Sequence, residues 1–206
     1  MPFNKVHDIL DDAFSYPYMD KAHLTRAGLM LNTIDKCRAV PLSQDTTNRM
    51  LALEVVESLS IDSARELGPI LLQFDGQRDD AGRFIIGVLV VPMAEVDQIH
   101  CYPYSNNNTE QKMWPYDKHF VISNLSDTAK LMITSRSTHP LSEGENLDEA
   151  GTSHMSALSA MVVKFLSATQ SGVTLVQEDR DYTKLNKKRA AVKKNLIKPD
   201  YLLEWK

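Results

Sequence analysis

The sequence predicts an α+β protein with a helical N-terminal third, a central and mostly antiparallel sheet, and a C-terminal helix followed by a β–α–β end. Three observations predict it. Apolar residues recur at helical spacing as far as Glu66. From Ile70 to Thr134 they gather instead into short β-rich runs separated by turn residues. After Ser153 the helical period returns, and two short apolar runs then flank a basic stretch. The 206 residues read as a single domain, with a helical part at 1–67, a sheet-and-helix part at 68–179 and a basic segment at 180–206.

Taken in order, Val6, Ile9, Leu10 and Phe14 mark a first helix, closed by Ser15-Tyr16-Pro17. Asp20 caps a second, whose apolar positions are Leu24, Leu29, Leu31 and Ile34. Pro41 follows it. A third helix is then expected from Ser43 or Asp45 to about Glu66, with Met50, Leu51, Leu53, Val55, Val56 and Leu59 on its apolar side and Gly68-Pro69 as its stop. Ile70–Phe74 and Phe84–Val91 form a hairpin around a turn rich in Asp and Gly, and the second of these strands is apolar enough to be buried on both faces. Phe84, Ile86, Val88 and Val90 are therefore expected in the core. Val96–Tyr104 alternates as a third strand, and Phe120–Ser123 and Leu131–Thr134 are two more. A polar, acidic loop covers Ser135–Gly151. Ser153 opens a helix with Met155, Leu158, Met161, Val162, Phe165 and Leu166 on one face, ended by Ser171-Gly172. Val173–Gln177, a basic helix from Tyr182 or Thr183 to about Asn195, and a terminal strand at Tyr201–Trp205 complete the chain.

Composition narrows the function classes. The chain is 43% apolar and 24% charged, ordinary for a water-soluble protein with a real core. Its longest apolar run, Phe84–Met93, is interrupted by Gly87 and Pro92 and falls short of a membrane span, so no membrane partner is expected. The first residues lack the apolar stretch of a signal peptide. Cys37 and Cys101 read as two buried, reduced thiols, which places the protein in the cytoplasm.

The charge is split along the chain. Residues 180–206 hold nine basic side chains against three acids, a net of +6. The chain has 23 basic and 27 acidic residues in all, so residues 1–179 hold 14 and 24, a net of −10. A basic end on an acidic body points to a polyanion or an acidic partner. Lys184, Lys187, Lys188, Arg189, Lys193 and Lys194 are the candidate phosphate contacts, because each neutralised phosphate releases condensed counterion whatever the base sequence. A solvated helix that keeps the protein soluble is the plain alternative.

The same segment carries a resemblance. Lys184-Leu-Asn-Lys-Lys-Arg-Ala, followed by a basic stretch, Pro199, Tyr201 and an apolar terminal strand, resembles the close of a group of uncharacterised bacteriophage and prophage proteins. Those proteins often end with an Asn-x-x-Arg-x-x-x-Gly-Lys-Pro-Pro-like segment; this chain has no glycine there and one proline. The resemblance covers about the last 25 residues. It implies a phage-encoded accessory protein in the host bacterial cytoplasm, and supplies no catalytic residue.

A second candidate is aromatic. Tyr102, Tyr104, Trp114, Tyr116 and Phe120 fall within nineteen residues, separated by Pro103, Pro115 and an Asn run that place them on loops and strand ends. Lys112 and Lys118 are interleaved. Single-strand binders combine stacking rings with cations in this way, since every base has a π-face. Tyr and Trp beside proline also serve as wet-edged core residues. With Tyr102, Tyr104, Lys112, Trp114, Tyr116 and Lys118 added to the tail cations, the expected ligand is single-stranded nucleic acid.

Catalytic patterns do not form. The six histidines make no four-residue helical pair and no His-x-His, and His100 and Cys101, adjacent in a strand, point to opposite faces. Asp75, Asp79, Asp80, Glu95 and Asp97 could be drawn as a two-metal nuclease cluster, but the first three sit where a turn favours aspartate. Phosphate-binding glycine loops and a nucleophile elbow are missing. No cofactor or metal is expected. The sequence therefore reads as a non-enzymatic, phage-type accessory protein that binds single-stranded DNA and also engages a polymerase or another host or phage protein. The alternatives are a host-takeover or anti-defence protein acting by protein–protein binding, and a metal-dependent nuclease. A homo-oligomer is a further expectation, since the helical third has more apolar faces than one small sheet covers.

Overall fold

The computed structural model describes residues 33, 37–54, 59–74, 84–107, 112–115, 118–123, 130–135, 149–194 and 196–205. Seven strands form one sheet: β1 (Arg38–Leu42), β2 (Ile70–Phe74), β3 (Phe84–Pro92), β4 (Gln98–Asn107), β5 (Lys112–Pro115), β6 (Lys118–Ser123) and β7 (Lys130–Ser135). Their order is β1-β2-β3-β4-β6-β7, with β5 also paired to β4. Among the described residues only β1 and β2 run parallel in this sheet, and its other pairings are antiparallel. Three helices, α1 (Gln44–Ala52), α2 (Ile61–Leu67) and α3 (Glu149–Gln170), contribute to the core against this sheet. The chain ends in β8 (Thr174–Gln177), α4 (Thr183–Ala191) and β9 (Tyr201–Glu204), with β8 and β9 paired antiparallel in a separate ribbon.

The expected helical N-terminal third is corrected by β1. Of the first 36 residues only Thr33 is described, in a helix, so the first predicted helix and most of the second lie outside the described residues. Arg38-Ala-Val-Pro-Leu is a strand, register-paired from Arg38 with Ile70 to Leu42 with Phe74. Val40 and Leu42 enter the core while Ala39 is buried on the other face. The sequence places Pro41 after a helix. It sits instead in the outermost strand of this sheet, where a missing N–H breaks no ladder. The third helix is also two helices. Ser43 Oγ accepts from the Thr46 N–H to start α1, the backbone at Leu53 turns extended (ψ 144°), and Ser60 Oγ accepts from the Ser63 N–H to start α2. A second capping serine beat continuation of the apolar period. The sheet therefore begins inside the region read as helical, and it is mixed. Gly68, at φ 69°, ends α2 in a conformation that penalises any side chain.

The core lies between one face of the sheet and the helices. Val40, Leu42, Ile70, Leu72, Val88, Val90, Ile99, Phe120 and Ile122 meet Met50 of α1, Ala64 of α2 and Leu158, Val162, Phe165 and Leu166 of α3. The opposite face is closed as well: Leu71, Leu89 and Val121 are buried, as are Gln73 and His119. Apolar runs without alternation, as in β2 and β3, are what two-sided burial demands. Of the expected core residues of β3, Val88 and Val90 are buried; the side chains of Phe84 and Ile86 lie outside the description. Gly87 has a packing reason, because a Cβ there would stand 2.3 Å from the Leu72 carbonyl oxygen.

Polar contacts lock the helices down. Lys164 Nζ donates to the Leu53 carbonyl, and the Gln170 amide exchanges hydrogen bonds with the backbone of Ser60. Arg65 of α2 donates to the Met93 and Val96 carbonyls at 2.9 and 3.0 Å, which fixes the β3–β4 turn, and pairs with Asp62 at 2.8 Å. Cys37 and Cys101 are buried and form no disulfide; burial pushes the Cys101 thiol well above its ordinary range, which keeps it protonated and inert. No helix among the described residues is long and apolar enough to cross a membrane.

Candidate nucleic-acid interface

The basic segment is held to the body at its end. Tyr201 and Leu203 of β9 and Trp205 just after it pack against the core, with Leu175 of β8 beside them. The Arg38 guanidinium of β1 lies 5.4 Å from the Tyr201 ring centre, and that of Arg49 in α1 lies 4.7 Å from the Trp205 ring. Such contacts add to the area buried by each ring. The tail strand is thereby fixed at the β1 side of the sheet.

Between the two ribbon strands, α4 has no buried residue. Its attachment is polar. Asn186 Nδ2 donates to the Ile197 carbonyl at 2.9 Å, and the Ile197 N–H donates to Asn186 Oδ1 at 2.6 Å. At the start, Asp181 accepts from the Thr183 N–H at 2.8 Å; hydrogen bonding to Thr183 lowers the Asp181 carboxyl below its usual range. At the end, the Lys194 N–H reaches the Arg189 carbonyl and the Lys193 N–H the Ala190 carbonyl, with Lys193 left-handed at φ 54°. This is a Schellman stop with lysine where glycine is usual. The helix is short but closed at both ends.

That geometry orients the cations. Lys184, Lys187 and Lys188 stand at i, i+3 and i+4, so they share one face. At 100° per residue the middle of that face lies roughly 150° round the helix from Asn186, with Lys187 nearest to it at about 100°. The anchor faces the chain and the lysine stripe faces away. Lys184, Lys187, Lys188, Lys193 and Lys194 are all exposed, and Arg189 is half-buried. A narrow apolar docking edge for this helix is not what holds it: Leu185 is 46% and Val192 64% exposed.

At the root of the arm, Glu178, Tyr182 and Asp200 cluster. The Tyr182 hydroxyl donates to Glu178 Oε2 at 2.9 Å, and the Glu178 N–H to the Asp200 carbonyl at 2.8 Å. Burial, followed by the Glu178 charge, raises the Asp200 carboxyl above its ordinary value, and its Oδ1 is buried without a hydrogen-bond partner among the described residues.

The aromatic residues are placed differently from the expected loop. Tyr102 and Tyr104 lie within β4, Trp114 and Lys112 in β5, and Lys118 in β6; Tyr116 lies outside the described residues. β5 and β6 follow one another along the same edge of β4, with Tyr104 opposite Pro115 and Cys101 opposite Phe120. The gap between the β4–β5 and β4–β6 ladders falls at Tyr102 and Pro103. This is where Pro103 is tolerated inside a central strand. Trp114 pairs with Ser105, one register step from Tyr104. Tyr102 is half-buried, and its ring stacks on buried His119 at 5.4 Å and 18°, with His100 completing a triangle of rings at 6.3 Å from Tyr102 and 6.1 Å from His119. His100 and Cys101 do face opposite sides: Cys101 enters the core and His100 does not. The tail is fixed at β1, and β4 is the third strand on from β1, about 14 Å across the sheet. The two halves of the expected interface are not brought together by β9. The Tyr102–His119 stack and the Asn186 anchor were missed at the sequence level. A polar residue in the middle of a helix that offers no apolar edge was the available signal for the second.

Other chemistry is sparse. No three His, Cys, Asp or Glu side chains converge among the described residues. Asp75, Asp79 and Asp80 lie outside them, and Glu95 and Asp97 belong to the turn that Arg65 holds. A shallow cleft of about 450 Å³ between α2 and the end of α3 is lined by Ser63, Glu66, Leu67, Thr169 and Gln170 and has no paired acid and base. Comparison with protein-family models, curated proteins and solved structures returns no match.

Proposed function

We propose that this chain is a non-enzymatic accessory protein that binds nucleic acid through the phosphate backbone, using the C-terminal arm. One observation carries the reading: α4 buries nothing, is held through Asn186, and carries exposed Lys184, Lys187 and Lys188 on a face centred roughly 150° from that anchor, with Lys193 and Lys194 exposed just beyond. Pre-ordered cations lose less entropy on meeting phosphates than cations on a loose tail. The body, at −10, repels a polyanion and confines contact to the arm. Five contacts to a single strand give a log affinity that falls with log salt with a slope of roughly −3.5, and a duplex gives a steeper one.

The test is fluorescence anisotropy with a labelled oligo-dT and a matched duplex over a salt series. Changing Lys187, Lys188, Lys193 and Lys194 to Ala should weaken binding and flatten the single-strand slope by roughly 0.7 per lost contact. Parent and variant with the same affinity and the same slope would refute the reading. The preference for single strands rests on Tyr104, Lys112, Trp114 and Lys118 near the β4–β5 hairpin. It is read from the ratio of oligo-dT to duplex affinity in Trp114→Ala, which should fall toward unity.

A further inference from the structure

The tail concentrates exposed apolar surface as well as charge. Among the described residues seven large apolar side chains are exposed, and five of them belong to the last segment: Val176, Leu185, Val192, Leu196 and Leu202. They are organised. Val176 and Leu202 are directly paired across the β8–β9 ribbon, on the side opposite Leu175 and Leu203, which pack on the core. Leu185 and Val192 are two turns apart on one side of α4, flanking the lysine stripe rather than lying within it. Scattered single exposures need no explanation, but apolar pairs gathered on one small appendage mark a contact surface.

Charge decides what covers it. A symmetric contact between two tails would set +6 against +6. A tail set on the body of another copy places +6 against −10, and the apolar pairs then supply the desolvated centre of a contact rimmed by lysines. We propose that the occupant of this surface is a second copy of the chain, joined head to tail, with the arm of one molecule on the acidic body of the next. Such a contact is heterologous, so it builds a ring or an open row rather than a two-fold dimer. It uses the apolar strip of α4 and the outer ribbon face as its centre, and shares its lysine rim with the proposed phosphate contacts.

Sedimentation equilibrium of the full chain, free of nucleic acid, tests this over a concentration series at about 0.05 and about 0.5 M salt, where the Debye length shrinks from roughly 14 to roughly 4 Å. The weight-average mass should climb from 23.2 kDa past twice that value at low salt and fall back at high salt. Val176→Thr with Leu202→Thr, Leu185→Gln and Val192→Gln should stay at the monomer mass at both salts. All four residues are exposed, so the variant's melting temperature should match the parent's and confirm that it is folded. Lys187→Glu with Lys194→Glu should also stay monomeric. A parent that is monomeric throughout, a mass that stops at the dimer and survives high salt, or association unchanged in the apolar variant overturns the proposal. The apolar variant keeps every cation of the arm, so its anisotropy with oligo-dT should match the parent's, and the two readings fail separately.

Discussion

Among the described residues, Gln73 and Asp200 carry buried side-chain polar atoms without a hydrogen-bond partner, and each makes a measurable statement. Gln73 is 4% exposed on the sheet face away from α3, and neither its amide oxygen nor its nitrogen has a hydrogen-bond partner among the described residues. Leaving a buried amide unmade costs about 1–3 kcal/mol. Gln73→Leu, close in volume, should therefore raise stability by about that amount in urea denaturation. A loss of stability would mean that the amide is satisfied after all. Asp200 is the second case. Burial raises its carboxyl, with the Glu178 charge adding to it, so the folded tail prefers the protonated acid. The destabilisation is absent below the ordinary carboxylate pKa of about 4, develops as pH rises through the raised value, and is complete above it. Asp200→Asn should thus raise the melting temperature at pH 7, and the gain should shrink as pH is lowered toward 4. A gain independent of pH would remove the carboxylate from the explanation.

At the scale of elements, the arm is held by geometry rather than burial. α4 has no buried residue, so its order depends on the Asn186–Ile197 pair and on the turn at Lys193. Asn186→Ala removes both side-chain hydrogen bonds. Amide exchange over residues 184–191 should then speed up markedly while exchange in β2 and β3 stays unchanged. Equal exchange in the arm would show that the cap at Asp181 and the Schellman stop suffice. Lys193→Gly acts in the other direction. It removes a left-handed non-glycine worth about 1 kcal/mol, and should slow exchange in α4 although it deletes a cation. The element-level reading of the sequence did best where hydrophobic runs were long, as in β2, β3 and α3. It failed at β1. Five residues with a proline carry little period of their own, and the strand exists because β2 offers an edge to pair with.

For the molecule as a whole, the arrangement settles a relation that the sequence leaves open. The sequence reads Tyr102 as a stacking ring without placing it relative to the tail. Its ring stacks on His119 inside the sheet's second face, while the tail is fixed at β1. Tyr102→Ala should consequently lower the melting temperature and leave the oligonucleotide affinity of the folded protein unchanged; a loss of affinity at constant stability would return Tyr102 to the binding surface. Charge, apolar exposure and anchorage in turn converge on one appendage, residues 174–205, attached by Tyr201, Leu203 and Trp205. The sequence by itself determined the acidic body and basic end, the apolar runs that become β2, β3 and α3, and the burial of both thiols, because composition and local period are properties of the chain alone. Only the tertiary structure decided that Arg38–Leu42 is a strand, that Asn186 turns the lysines outward, and that Tyr102 is engaged. Each of those depends on a partner distant in sequence or on a turn geometry that no local pattern encodes: Ile70–Phe74 for the strand, Ile197 for the arm, and His119, brought alongside by the pairing of β4 with β6, for the ring.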